Sequence, residues 1–259
     1  MDLGIKGRKA LVCASSQGLG LACATSLAQE GCEVFLNGRK ADKLQRVATE
    51  LAQATGAKVH AVVADITTPE GRAALLAACP EPDILINNNA GPQPGKLADW
   101  DHDQWIEALE SNMLAPALLI RAVVPGMRQR KFGRIINITS AMVKQPRTRM
   151  ALSTGARAGL TAFAKSVSFE VAVDNVTLNN LLPERIDTDR QRFMAERMMQ
   201  EQGIDMAEAR RRIADGIAAK RFGSPKEFGD ACAYLCSVQA SFISGQNLHL
   251  DGGSYPGLI

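Results

Sequence analysis

Tyrosine, histidine and paired cysteines are scarce in this sequence. Its 259 residues include two tyrosines, three histidines and six cysteines. No two cysteines have Cys-x-x-Cys spacing, and no cysteines and histidines cluster at the spacing of zinc ligands. Cys232 and Cys236 stand four residues apart, which indicates one face of a helix and a core position. We therefore predict no metal site and a reduced protein without a disulfide framework.

Strong net charge and long apolar runs are also lacking. The formal net charge is +3 and the basic residues are spread evenly, which argues against a nucleic-acid partner. The first residues, MDLGIKGRKALV, contain no signal-peptide hydrophobic region. No apolar run approaches the roughly 18 residues that a membrane-spanning helix needs. We expect a soluble, cytoplasmic protein that binds no membrane.

Short β-type apolar runs alternate with longer helical patterns along the chain. The strand-like runs are KALVCA (9–14), EVFLNGR (33–39), KVHAVVAD (58–65), DILINNN (83–89), RIINITS (134–140), VTLNNLLP (176–183) and QNLHLDGG (246–253). The helical patterns between them include 41–55, 69–78, 103–130 and 151–173. This alternation predicts an α/β fold with one domain, 1–259, and seven parallel strands covered on both faces. Segment 189–222, polar and rich in methionine, is an excursion between the last two strands.

Small residues dominate the turn after the first predicted strand. In LVCASSQGLGLACA, Gly18 and Gly20 let the backbone approach a pyrophosphate, and the following helix offers unpaired N–H groups. The second strand ends in LNGRK, so Asn37, Arg39 and Lys40 stand where NAD-binding sites usually carry an acidic residue. Basic side chains there suit a ribose 2′-phosphate. We predict NADP, with NAD as the alternative and two solvated charges as the plainer explanation.

Several motifs together resemble those of a known enzyme family. They are ASSQGLG (14–20), AD (64–65), NNNAG (87–91), SNMLAP around Asn112, NITS ending at Ser140, LPERIDT (182–188), RFGSPKEFGDACAYLCS and SGQNLHLDGG. On these motifs the chain is similar, over nearly its whole length, to classical short-chain dehydrogenase/reductases, in particular to the 3-oxoacyl-[acyl-carrier-protein] reductase branch. The resemblance implies a Rossmann-type doubly wound sheet, a nicotinamide cofactor, a small carbonyl or alcohol substrate and a homotetramer.

The resemblance also implies a set of cofactor contacts. Asp65 and Ile66 would flank the adenine, and segment 189–222 would form a substrate lid. NNNAG holds one residue more than the family pattern, so the register among its asparagines stays open, and we favour Asn88 as the cofactor contact. The implied cofactor residues are Ser15, Ser16, Gln17, Gly18, Leu19, Gly20, Asn37, Arg39, Asp65, Ile66, Asn88, Ala90, Gly91, Pro183, Ile186 and Thr188.

Two positions within these motifs depart from the family pattern. Ala14 stands at the first glycine of the turn, where a methyl group is tolerated if φ stays negative. Glu184 stands where a glycine usually follows Pro183, and it brings a charge to the substrate side of the cofactor. Two alternatives stay open for Glu184: a solvated side chain, or one that contacts the substrate.

The family's catalytic tyrosine and lysine are both missing. The resemblance implies four catalytic positions: Asn112 and Ser140 match, whereas Ser153 and Arg157 replace the tyrosine and the lysine. Because four residues separate them, Ser153 and Arg157 share one helix face. Arginine can hold ribose hydroxyls at least as well as lysine. A serine hydroxyl is a poor general acid, and a matched acid contributes about 10²–10⁴-fold in rate.

Other groups can compensate for the missing acid in several ways. The two serines and the arginine can form an oxyanion-stabilising cluster with water as the proton source. Alternatively, Lys144 or Arg147 points into the site rather than into solvent. Tyr255 can reach the site only through the carboxy-terminal tail, in this subunit or in a neighbouring one.

Three functions remain open from the sequence. The first is an NADP(H)-dependent oxidoreductase with an altered proton donor. The second is a cofactor-binding, catalytically impaired sensor or scaffold subunit. The third is a different reaction, such as epimerisation or dehydration, with Glu184 as base. The sequence does not identify the substrate.

Overall fold

Seven strands alternate with helices in the computed structural model, which describes residues 1–258. The strands are β1 (Lys9–Val12), β2 (Glu33–Gly38), β3 (Val59–Val63), β4 (Ile84–Asn87), β5 (Gly133–Ile138), β6 (Val176–Pro183) and β7 (Asn247–Leu250). The α-helices are α1 (Gly18–Gln29), α2 (Ala41–Thr55), α3 (Pro69–Ala78), α4 (His102–Leu109), α5 (Ala115–Gln129), α6 (Ala151–Val171), α7 (Asp189–Gln202), α8 (Met206–Asp215) and α9 (Pro225–Cys236). The helices predicted at 41–55 and 69–78 have the predicted bounds.

All strand pairs in the sheet are parallel, and the strand order is β3-β2-β1-β4-β5-β6-β7. The order reverses between β1 and β4, which is where doubly wound sheets bind ligands at the carboxyl ends of their strands. One apolar core lies between the sheet and α1, α2 and α9, and a second lies between the opposite face and α3, α5 and α6. The predicted single-domain Rossmann-type fold is confirmed.

A chain of buried asparagine amides crosses the apolar sheet from β4 to β7. Asn87 donates to Asn137 Oδ1 at 2.9 Å, and Asn137 donates to Asn180 Oδ1 at 3.0 Å. Asn180 then donates to Asn247 Oδ1 at 2.8 Å. The four residues are direct neighbours in register. The side-chain oxygens of Asn137, Asn180 and Asn247 each accept from the preceding amide. Of the four side-chain oxygens in this chain of amides, only that of Asn87 is buried without a hydrogen-bond partner among residues 1–258.

The helix predicted over 103–130 is interrupted by a π-helical turn at Glu110–Leu114, between α4 and α5. The whole segment His102–Gln129 has a window of mean hydropathy 1.2 and is long and apolar enough to span a membrane, so our expectation that no segment would qualify was wrong. Only 39% of that window is buried. The buried part, including Leu119 and Val123, packs against the sheet, which gives its apolar composition a role in the core.

Candidate active site

The turn after β1 is built by backbone contacts that leave no room for a side chain. A Cβ atom at Gly20 would lie 2.5 Å from the carbonyl oxygen of Ala14 and 2.8 Å from Nδ2 of Asn88. Asn88 donates to that same carbonyl at 3.1 Å. The φ of Ala14 is +44°, so the condition under which its methyl group would be tolerated is not met. The turn therefore keeps the backbone shape that suits glycine, at the cost of strain in an alanine.

The start of α1 offers its N–H groups to a ligand. Gln17 precedes the helix in an extended conformation and provides no side-chain cap, since its side chain accepts instead from Lys43. Gly18 has a φ of +59°, and a Cβ there would meet no atom within 4 Å. The neighbouring residues of this turn are Ser15, buried, Ser16, half-buried, and Leu19, half-buried. Uncapped N–H groups at the positive end of a helix dipole fit the phosphates of a dinucleotide.

Asn37 supports this turn from inside the sheet. Its buried side chain accepts from the N–H of Ala14 at 3.2 Å and donates to the carbonyls of Val62 and Ala64. Because both amide hydrogens already have backbone acceptors, the structure assigns Asn37 to holding the turn rather than to a ribose hydroxyl. Arg39, with 74% of its side chain exposed, is the basic group that faces outward at the end of β2.

Arg39 forms a loose ion pair with Asp65, 3.6 Å from its carboxylate. Burial acts to raise the pKa of Asp65, but hydrogen bonds from Thr67 and the charge of Arg39 outweigh it and lower that pKa. Asp65 is therefore ionised at neutral pH. Ile66 follows it, is buried, and lines a small cavity described next.

Asn112 lies in the π-helical turn, an irregularity that often marks a functional position. Its Nδ2 donates to the carbonyl of Ala90 and to Ser111. Its Oδ1, like that of Asn87, is buried without a hydrogen-bond partner in the described part of the chain. Both residues line a cavity of about 10 Å³, together with Arg157 and Ile66. A cavity of this size with polar walls has room for one water molecule.

Ser153 and Arg157 meet at the carboxyl ends of β4 and β5. A Cβ atom at Gly91 would lie 3.3 Å from Nη2 of Arg157 and 3.5 Å from Oγ of Ser153. Arg157 is buried and donates to the carbonyls of Ile138, Thr139 and Asn89. No ion pair of Arg157 occurs within residues 1–258, and burial, followed by the charge of Arg190, lowers its pKa to about 10. Arg157 is thus a fixed cation without a counterion.

Ser140 follows β5 directly and begins a 3₁₀ turn. Its Oγ accepts from the N–H of Met142 at 3.2 Å, which leaves the hydroxyl hydrogen available for another acceptor. Ser140 is adjacent to Thr139, whose carbonyl binds Arg157. Of the four predicted catalytic positions, Asn112, Ser153 and Arg157 therefore gather around Ala90 and Gly91, and Ser140 adjoins them.

Glu184 is neither solvated nor isolated. Its carboxylate lies 3.0 Å from Nη1 of Arg147 and 3.1 Å from Nε of Arg185, and 8% of the side chain is exposed. The solvated alternative for Glu184 was wrong, whereas Arg147 pairs with Glu184 and still keeps part of its side chain exposed. Because two guanidinium groups form ion pairs with this carboxylate, it is poorly placed to act as the base of an epimerase or dehydratase.

Tyr255 lies beside β7 of its own chain. Its ring stacks on His249 with the centroids 4.5 Å apart, and its backbone N–H donates to Asp251. The ammonium group of Lys144 lies 5.5 Å from the centre of the Tyr255 ring. Burial, partly offset by Asp251, lowers the pKa of His249. The tail therefore folds over the segment after β5 within one subunit, and Lys144 faces the tail.

The segment after β6 carries the remaining predicted cofactor residues. Pro183 ends β6, Ile186 is buried against Gly223, and Thr188 precedes α7. Thr188 lines an open cavity of about 520 Å³ between this segment and the predicted lid, with Arg192, Met206 and Arg210 among its other walls. Segment 189–222 contains α7 and α8, which share a small core of their own that includes Ala195, Ile213 and Met206.

Sequence reasoning missed three participants: Asn87, Arg185 and His249. One signal was available, because asparagine is unusual inside buried strands and recurs at 87, 137 and 180. A second signal was the adjacency of Glu184 and Arg185, which carry opposite charges. The six cysteines are all buried and free, and burial raises the pKa of Cys13 to about 12. Within residues 1–258 there is no group of three or more side chains that could hold a metal.

Comparison with known proteins agrees with this geometry. The sequence model of a family described as "Enoyl-(Acyl carrier protein) reductase" matches residues 13–255. NADPH-dependent reductase BacG of Bacillus subtilis is 33% identical over 95% of this chain and 97% of its own. The 3-oxoacyl-[acyl-carrier-protein] reductase FabG of Vibrio cholerae is 31% identical over 98% of this chain and 99% of its own. This chain belongs to the short-chain dehydrogenase/reductase family.

A solved short-chain dehydrogenase/reductase structure has the same fold over its full length. L-sorbose reductase of Gluconobacter frateurii, solved with NADPH and L-sorbose, superposes with a TM-score of 0.95 at 32% identity and covers 100% of both chains. YwfH, an NADPH-dependent reductase involved in bacilysin biosynthesis, superposes with a TM-score of 0.92 at 31% identity, over 98% of this chain and 100% of its own.

Proposed function

We propose that this chain is an NADP(H)-dependent oxidoreductase that interconverts a carbonyl and an alcohol, as in 3-oxoacyl-[acyl-carrier-protein] reductases, with Ser153 and Arg157 in the places of tyrosine and lysine. The observation that carries the proposal is the buried, uncompensated charge of Arg157 beside Ser153 and Gly91. A buried cation without a carboxylate is costly unless an anionic ligand or a developing negative charge uses it.

The cofactor would lie across the carboxyl ends of β1 and β4. Gly18, Gly20 and the start of α1 would hold its pyrophosphate, and Arg39 would contact a 2′-phosphate. The exposed guanidinium of Arg39 and the NADPH-bound relatives support NADP over NAD. The other predicted contacts, from Asp65 to Thr188, line the same edge of the sheet. NADPH, when bound, supplies a hydride to the carbonyl carbon.

The residues of this chain would stabilise the charge that then develops on the carbonyl oxygen. The hydroxyls of Ser140 and Ser153 donate hydrogen bonds to it, and Arg157 supplies a fixed positive charge close by. With a pKa of about 10, Arg157 keeps its proton at neutral pH and acts electrostatically rather than as an acid. The proton comes from water, which Asn112 can position in the adjoining polar cavity.

The second candidate is a cofactor-binding subunit that senses or scaffolds without turnover. One observation favours it. Three guanidinium hydrogen bonds of Arg157 go to backbone carbonyls, so this side chain also fastens β5 to the segment after β4. An arginine kept for that purpose alone would not need to reach a substrate.

Binding and turnover on one preparation separate the two candidates. NADPH and NADH are titrated by calorimetry, and NADPH oxidation is then followed with β-ketoesters, diketones and acyl thioesters. Turnover that falls in both Ser153→Ala and Arg157→Ala supports the enzyme. Tight binding without turnover, restored by Ser153→Tyr combined with Arg157→Lys, supports the sensor or scaffold. Absence of any binding would overturn both.

We also infer a homotetramer in which segment 189–222 serves as the substrate lid. The half of segment 102–129 that faces away from the sheet, and the exposed Phe169 and Val173 beside α6, support a self-association surface. Phe169→Glu should shift the mass measured by light scattering from four chains to fewer. Phe242→Glu, at a still more exposed position that is distant in sequence from these helices, is the control.

A further inference from the structure

Three charged side chains form a compact group that we call the arginine–glutamate cluster: Arg147, Glu184 and Arg185. Glu184 is buried, and one oxygen of its carboxylate contacts both guanidinium groups at about 3 Å. Arg185 also donates to Gln191 on α7, and its φ of +56° is a conformation that residues other than glycine seldom adopt. The cluster is therefore held from several sides rather than being a chance surface pairing.

The segments that carry the cluster lie at the same edge of the sheet as the candidate site. Arg147 belongs to the segment after β5, which begins with Ser140, and Glu184 follows the last residue of β6. Because β5 and β6 are neighbours in the sheet, their following segments face each other across its carboxyl edge. The backbone of Glu184 is fixed there by its hydrogen bond to the carbonyl of Leu250.

The cluster carries one positive charge in excess. Two guanidinium groups surround one carboxylate, and no other acidic side chain within residues 1–258 pairs with either arginine. Apart from its contact with Glu184, the side chain of Arg147 makes no hydrogen bond or ion pair there, and 41% of it is exposed. Arg147 therefore has guanidinium donors without a partner among residues 1–258 on a partly exposed side chain, and a single monoanionic group would neutralise the cluster.

We propose that Arg147 and Arg185, positioned by Glu184, bind a carboxylate of the substrate, so that this enzyme acts on keto acids and hydroxy acids. The proposal rests on the oxidoreductase function above and names its substrate class. Planar guanidinium groups bind carboxylates through paired hydrogen bonds. Glu184 keeps the two cations together without cancelling them, which explains why a charged residue stands where a small one is usual.

The test compares acids with their neutral esters. NADPH oxidation is measured with pyruvate, acetoacetate and levulinate and with the methyl ester of each, for the unaltered protein and Arg147→Ala. The acid-to-ester ratio of kcat/KM should favour acids and fall about tenfold to a hundredfold in the variant. Arg147→Lys, which keeps the charge, should retain part of the preference for acids over esters. Arg46→Ala, which removes an exposed arginine of α2 paired with Glu50, should leave the ratio unchanged.

A binding measurement separates this proposal from the proposed function. The NADP⁺-loaded protein is titrated calorimetrically with 3-hydroxybutyrate and its methyl ester. Preference for the acid that disappears in Arg147→Ala supports the cluster as a carboxylate site even if no carbonyl compound is turned over. Equal affinity for acid and ester, or an unchanged preference in Arg147→Ala of normal thermal stability, overturns it.

Discussion

The phosphate end and the catalytic end of this cleft depart from their family in different ways. At the phosphate end the backbone shape is kept, and the one substitution, Ala14, adopts the conformation of the missing glycine. At the proposed catalytic end the residue types differ: on the family resemblance, Arg157 would stand for lysine, Ser153 for tyrosine and Glu184 for glycine. A phosphate site is defined by how closely the backbone approaches its ligand, whereas charge can be supplied by several side chains. The phosphate end is therefore restricted to one backbone shape, whereas the catalytic end can obtain its charge from different side chains.

The largest effect on the phosphate end is expected from a substitution at Gly20. Gly20→Ala places a Cβ atom 2.5 Å from the carbonyl oxygen of Ala14, which forces the turn apart. We expect NADPH affinity to fall by about 100-fold, since overpacking that displaces the phosphate site costs up to about 3 kcal/mol. Calorimetric titration of both proteins with NADPH measures this affinity.

The matched control for this change is Gly216→Ala. A Cβ atom there comes no closer than 3.4 Å to any atom, which is ordinary contact. Its NADPH affinity should equal that of the unaltered protein. If Gly20→Ala binds NADPH equally well, the phosphate end is not sterically restricted and the contrast between the two ends disappears.

A substitution of Arg157 tests whether electrostatics governs the catalytic end. Arg157→Ala should lower kcat by about 10²–10³-fold, as for loss of one group that stabilises an oxyanion. Because burial lowers the pKa of Arg157 to about 10, its charge is present at all lower pH values and is lost as pH rises through that value. The pH profile of kcat/KM should therefore stay level from neutrality and decline only near pH 10. A decline near neutrality that persists in Arg157→Ala would point to a different titrating group.

The sequence predicted the phosphate end better than the catalytic end, for physical reasons. Glycines, a strand and a helix start are local features, so ASSQGLG was enough to predict the turn and the site at Gly18 and Gly20. Arg147 lies 37 positions from Glu184, and the three carbonyls that Arg157 contacts lie 18, 19 and 68 positions away. Pairing over such distances leaves no periodic pattern in the sequence. Neither the positive φ of Ala14 nor the pairing of Glu184 could be predicted from the local sequence, because each depends on neighbours that only the fold brings together.

The phosphate end and the catalytic end are both formed by segments that follow strands of one sheet, and the chain of asparagine amides crosses that sheet. Asn137→Leu removes the central amide and leaves Asn87 Nδ2 and Asn180 Oδ1 buried without partners. We expect the free energy of unfolding in urea to fall by about 2–5 kcal/mol. Thr177→Val on β6 is the control, because the buried Thr177 hydroxyl has no partner to lose. A loss in Thr177→Val as large as that in Asn137→Leu would show that the amide chain contributes nothing particular.

The smallest expected effect tests whether Ala14 is strained. Ala14→Gly should raise the free energy of unfolding by about 1 kcal/mol, because glycine adopts a φ of +44° without the steric cost that a Cβ atom brings. Ala28→Gly, in the regular helix α1, should instead lower it by a similar amount. NADPH affinity should change little in either variant, since the N–H of residue 14 keeps Asn37 as its acceptor. If Ala14→Gly destabilises the protein as Ala28→Gly does, the backbone at residue 14 does not hold its positive φ, and the phosphate end departs from its family in geometry as well as in sequence.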